Sequence, residues 1–116
     1  MKLQPMVHVD DLSSSVAFYE ALGASVTAGS ADGDFVVLHI GDSELSLLAH
    51  PPNPDQGEGA VELNFETDDL DTVHRDLLAR GVTDVDAPID TDFGRQLQVR
   101  APGGMLIKVN EFGPNL

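Results

Sequence analysis

A chain of 116 residues with 41% hydrophobic content is one domain's worth of sequence, long enough to bury roughly two thirds of its unfolded surface. Cysteine is absent, which excludes a disulfide framework, a thiolate metal site and a cysteine nucleophile. The net charge of −14 opposes phosphate backbones and anionic membranes and favours a cationic partner, although a solvated acidic surface suited to high salt carries the same balance.

No run approaches the roughly 20 apolar residues that span a bilayer, and the opening "MKLQPMVHVDD" lacks a signal-peptide core and cleavage site. The expectation is a soluble, cytoplasmic protein that binds neither nucleic acid nor membrane.

In chain order the first strand candidate is "LQPMVHV". It is followed by "VDDLSSSVAFYEALGA", where Leu12, Val16 and Tyr19 fall on one helix face, Asp10 is placed as N-cap and Gly23 as a left-handed C-terminal residue. Three strands, "ASVTA", "DFVVLHI" and "ELSLLAH", come next. The stretch "HPPNPDQGEG" is a linker by its prolines and glycines. The order then repeats with the strand "VELNFET", the helix "TDDLDTVHRDLLARGV", and the strands "TDVDA", "RQLQVR" and "MLIKVNE". Asp10 and Asp68, Leu12 and Leu70, and Gly23 and Gly81 share one constant spacing, and Leu70, Val73 and Leu77 repeat the apolar stripe.

The spacing therefore predicts an α+β fold. Two βαβββ modules, about 3–50 and 60–111, form a single domain over 1–116 and share one cupped mixed sheet with the helices on its outer face.

Alternation assigns the faces of the strands. Val7 and Val9 form a core face, and Gln4, Met6 and His8 the opposite one. Val61, Leu63 and Phe65 repeat the core face, and Glu62, Asn64 and Glu66 the polar one. Aligning "IGDSELSLL" with "PGGMLIKVN" at Gly41 and Gly103 sets Ser46 against Lys108, so that Lys108 points into the concavity with Gln4, Ser46 and Glu62. In an ordinary sheet such a face is the wet side; in a curled sheet it lines a binding cavity. Phe35 and Leu48 add apolar contacts if their faces look inward. His39 and His50 end strands, and His74 lies on the surface of the second helix. Phosphate-loop, serine-elbow and zinc-protease motifs are absent.

The paired pattern, the segment "VDDLSSSVAFYEALG" and the ending "FGRQLQVRAPGGMLIKVNE" resemble the vicinal oxygen chelate superfamily, which includes glyoxalase I, extradiol dioxygenases and bleomycin-resistance proteins. The resemblance spans Leu3 to Glu111. It implies a cupped sheet with the site inside, and a homodimer. "FGRQ", Phe93 to Gln96, matches a turn framing the pocket entrance in the bleomycin-resistance branch.

In the metal-dependent members of that family four ligands come from the first and last strands of the modules. The matching positions here are Gln4, Ser46, Glu62 and Lys108. A protonated lysine has no lone pair and repels a cation, so the pattern implies no metal and no cofactor. Lys108 and Glu62 instead form an ion pair that closes the cup.

The expected function is metal-independent binding of a small organic, cationic molecule by a homodimer. Gln4, Met6, His8, Phe35, Ser46, Leu48, Glu62, Asn64 and Lys108 line the site. Two alternatives stand beside it. One is a metal-dependent lyase, isomerase or dioxygenase whose ligands come from His8, Glu62, Glu66 and Glu44. The other is metal-free acid–base catalysis by Glu62, with Lys108 stabilising developing negative charge.

Overall fold

A computed structural model describes residues 1–113. Among them are nine strands and two α-helices: β1 (Lys2–Leu3), β2 (Met6–His8), α1 (Leu12–Ala21), β3 (Ser25–Gly29), β4 (Phe35–Ile40), β5 (Ser43–Leu48), β6 (Val61–Glu66), α2 (Leu70–Ala79), β7 (Ile89–Thr91), β8 (Gly94–Arg100) and β9 (Leu106–Phe112). The class is α+β. Its repeating unit is βαβββ, as β2-α1-β3-β4-β5 and again as β6-α2-β7-β8-β9. The chain divides into two compact units, residues 4–62 and residues 1–3 with 63 onward.

In the first unit the strands run β3-β4-β5-β2, and β2 meets the start of β6. The β2–β5 pair is parallel, whereas β3–β4 and β4–β5 are antiparallel. Val36, Leu38 and Leu47 are fully buried against Leu12 and Val16 of α1, and Val7, Val9 and Tyr19 pack around them. The period-2 pattern of β4 and β5 and the helical stripe of α1 thus supply opposite sides of one core.

In the second unit β6 pairs in parallel with β9, and β9-β8-β7 continue antiparallel, while β1 lies antiparallel to β6. Leu70 and Leu97 are fully buried with Val99 and Val109, and Phe65, Val73, Leu77 and Ile107 surround them.

Both helices end in the same way. Ala24 N–H donates to Tyr19 O and Gly23 N–H to Glu20 O, and Val82 and Gly81 repeat the pair on Leu77 O and Leu78 O. These are Schellman motifs. Each needs a left-handed residue at the glycine, and Gly23 and Gly81 have φ of 106° and 88°.

Four local expectations are corrected. The N-caps are Asp11 and Asp69, one residue later than Asp10 and Asp68, because the helices begin at Leu12 and Leu70. Asp69 accepts from Thr72 N–H at 3.1 Å; Asp11 makes no side-chain cap. The stretch "LQPMVHV" is not one strand: it breaks at Gln4–Pro5, where proline has no N–H for the ladder, into β1 and β2. "TDVDA" gives only an isolated bridge, Val85 to Val99, since Asp84 and Asp86 suit a strand poorly; Ile89–Thr91 is the strand beside β8. The linker is not featureless, because a 3-10 turn, Pro54–Gln56, is capped by Asn53 Oδ1 accepting from Asp55 N–H.

Candidate functional site

In the first unit the strand registers place a set of side chains on the sheet face opposite α1. One row across the strands is Val37, Ser46, Met6 and Glu62, and the next is Phe35, Leu48 and His8. His39 sits opposite Glu44 at the other side of that face. Seven of the residues expected from sequence, Gln4, Met6, His8, Phe35, Ser46, Leu48 and Glu62, thus belong to one unit. Gln4, Ser46 and Glu62 are buried there. Phe35 and His39 on β4 are exposed, whereas Met6 and His8 on β2 and Glu44 and Leu48 on β5 are half-buried, so the face is most open along β4.

The polar groups on this face are tied together. Gln4 Nε2 donates to Glu44 Oε1 at 2.6 Å, and His39 Nε2 lies 3.0 Å from Glu44 Oε2. His8 Nδ1 is 2.7 Å from the carbonyl of His50, which can only accept, so the proton of that bond is on Nδ1. His8 Nε2 pairs with Glu62 Oε2. His8 and Glu62 side chains are 4% and 5% exposed, so little water competes for that pair. Ser46, 2% exposed, has a hydroxyl that finds no hydrogen-bond partner among the described residues.

Asn64 and Lys108 belong to the other unit. They are register partners on β6 and β9, and Lys108 is also opposite Gln98 on β8. Beside them runs a chain of side-chain amides. Gln98 Nε2 donates to Gln96 Oε1 at 3.1 Å, Gln96 Nε2 to Asn110 Oδ1 at 3.0 Å, and Asn110 Nδ2 to Asn64 Oδ1 at 3.4 Å. Glu66 pairs in register with Asn110 and with Lys2 of β1. Glu111 faces the opposite way from Lys108: its Oε2 accepts from Leu70 N–H at 2.7 Å and so serves the start of α2.

The residue that sequence reasoning passed over is Glu58. It lies in the linker, and one of its carboxylate oxygens accepts from Asn53 N–H at 2.8 Å. Ligand atoms of His8, Glu58 and Glu62 all lie within 4.8 Å of one another. A linker has no periodicity to assign its side chains to a face; the available signal was an acidic residue set between two glycines, Gly57 and Gly59.

The α+β class with paired βαβββ modules is matched by a family. The model for the Glyoxalase/Bleomycin resistance protein/Dioxygenase superfamily matches residues 3–109, and the chain belongs to that superfamily. Among solved structures it is similar to the NAD-dependent benzaldehyde dehydrogenase of Legionella pneumophila, at 18% identity and a TM-score of 0.75 over 96% of this chain and 99% of that one. It is also similar to a superfamily member from Vibrio splendidus 12B01, at 18% identity and a TM-score of 0.67 over 93% and 96% of the two chains. A third is a protein from Methanosarcina mazei, at 22% identity and a TM-score of 0.66 over 97% and 93%. At such identities the likeness is one of fold. No curated protein matches the chain.

The residues at the four positions expected to hold a metal in this family, Gln4, Ser46, Glu62 and Lys108, do not fit a cation. Two are oxygen donors of ordinary strength, the serine hydroxyl is weak, and the ammonium of Lys108 offers no lone pair. Among the described residues no helix is long and apolar enough to cross a membrane.

Proposed function

We propose that this protein binds a small organic molecule on the polar face of the 4–62 unit, in the manner of a binding protein of the bleomycin-resistance type, and not by chelation at the family's four metal positions. The observation that carries this reading is Ser46. A buried hydroxyl without a partner costs about 1–3 kcal/mol, a cost that a polar ligand atom reaching it removes. Phe35 and Leu48 supply apolar contact at the open side along β4, and Gln4, His8 and Glu62 supply polar anchors whose positions are fixed by their own hydrogen bonds. The charge of −14 favours a cationic ligand by raising its local concentration.

The test is calorimetric and thermal titration of a panel of cationic aromatic amines. A binder raises the melting temperature of the wild type, with an effect that weakens as salt is added, and Phe35→Ala and Ser46→Val each reduce its affinity. A panel without binders, or a binder indifferent to both substitutions, refutes the assignment of this face.

A further inference from the structure

We propose that His8, Glu58 and Glu62 form a binding site for a divalent first-row transition ion such as zinc, sharing only Glu62 with the family's four-position chelate. One imidazole nitrogen and two carboxylates are a donor set that zinc accepts, whereas magnesium and calcium favour oxygen alone. The three ligand atoms lie within 4.8 Å of one another, and all come from the same compact unit.

The cluster is more than a gathering of acids, because its donors are oriented from outside it. His8 Nδ1–H is held by the His50 carbonyl, which directs Nε2 inward as the coordinating nitrogen. Glu58 Oε1 is held by Asn53 N–H. Both supports come from the linker, so one segment positions the nitrogen donor and one carboxylate together. Outer supports of this kind are how ligating histidines and carboxylates are usually fixed.

Ligand atoms around zinc, with bonds of about 2.0–2.2 Å, stand roughly 3.4 Å apart. Filling the site therefore asks the His8–Glu62 contact to open and Glu58 to move inward. Glu58 is able to do this: Gly57, at φ 85°, and Gly59 flank it. The surplus of acidic residues attracts the cation and repels no part of it. This site goes beyond the organic-ligand reading and shares His8 and Glu62 with it without resting on it, since metal is titrated alone and either can fail without the other.

The experiment is calorimetric titration of the full chain with zinc, repeated with His8→Ala, Glu58→Gln and His39→Ala. The wild type binds one equivalent. His8→Ala and Glu58→Gln each weaken binding by about 100-fold, since even outer supports of metal ligands are worth roughly 10- to 100-fold. His39→Ala, on an exposed histidine outside the cluster, leaves the affinity unchanged. If His8→Ala fails to fold, Glu58→Gln, in the linker, carries the test. Long-range proton–nitrogen spectra of the zinc form should show His8 protonated at Nδ1 and shifted at Nε2. Absence of stoichiometric zinc, retention of affinity within about threefold in Glu58→Gln, an equal loss in His39→Ala, or coordination through Nδ1 each overturns the proposal.

Discussion

Replacing Ser46 by alanine separates the demands of folding from those of binding. The hydroxyl is buried at 2% exposure and has no partner among the described residues, so the folded state bears its desolvation without a compensating bond. That deficit is about 1–3 kcal/mol. Alanine removes the oxygen and keeps Cβ, losing only a few dispersion contacts of about 0.1–0.2 kcal/mol each. The expected net gain in stability is about 1 kcal/mol. For a chain of this size it raises the melting temperature by roughly 3–6 °C. Urea unfolding should show a higher midpoint at an unchanged slope, so that the gain is read as stability and not as a change in exposed surface. A loss of about 1 kcal/mol instead would mean that the hydroxyl is hydrogen-bonded in solution and that Ser46 needs no ligand to complete it.

Gly94 has φ of 147°, and a Cβ there would meet Glu111 O at 2.1 Å, so Gly94→Ala must displace the β8–β9 ladder and should cost roughly 2 kcal/mol or more in chemical unfolding. Glu111→Ala leaves Leu70 N–H at the start of α2 without its carboxylate, and a loss of about 1–2 kcal/mol with early fraying of α2 in hydrogen exchange is expected; a change below about 0.3 kcal/mol refutes the capping role. The Asp71 carboxyl is held below its ordinary value of 3.8, first by the hydrogen bond from Arg95 and then by that group's charge. Because the folded-state value is the lower one, its stabilisation is present above pH 3.8 and is lost as pH falls through the depressed value. The wild type should therefore melt slightly higher than Asp71→Asn near neutral pH, the gap closing in acid. A gap that persists below the folded-state value contradicts the assignment.

How far the molecule was legible depended on what kind of pattern each feature leaves. The helices were readable because Leu12, Val16 and Tyr19, and Leu70, Val73 and Leu77, repeat at helical spacing and a glycine closes each segment. Met6, His8, Ser46, Leu48 and Glu62 share rows of the strand registers, as alternation within each strand leads one to expect, whereas Gln4 lies outside any strand and meets Glu44 through its side chain. The break at Pro5 was also present in the sequence, but hydrophobic alternation ran through it and hid the missing donor. The strand Ile89–Thr91 was hidden differently: three residues are too few to show a period, and only pairing with Gly94, Arg95 and Gln96 makes it a strand. Glu58 left no periodic signal at all.

That last case bears on where function resides in this fold. The repeated modules can be read from one another, because burial imposes the same pattern on each. What departs from the repeat is free of that constraint, and "HPPNPDQGEG" has no counterpart in the second module. Its backbone nevertheless reaches β2 through the His50 carbonyl on His8 Nδ1 and holds its own Glu58 through Asn53 N–H, while Ala60 O, just beyond it, accepts from His8 N–H at 2.8 Å. His8 is thus held at its main chain and at its ring by the two ends of one loop. Fixing a histidine's ring costs side-chain entropy that apolar packing alone does not require, since Val7 and Val9 already anchor the strand on the other face. The linker therefore orients the chemistry of this face, and substitutions within it should alter binding at His8 before they alter the fold.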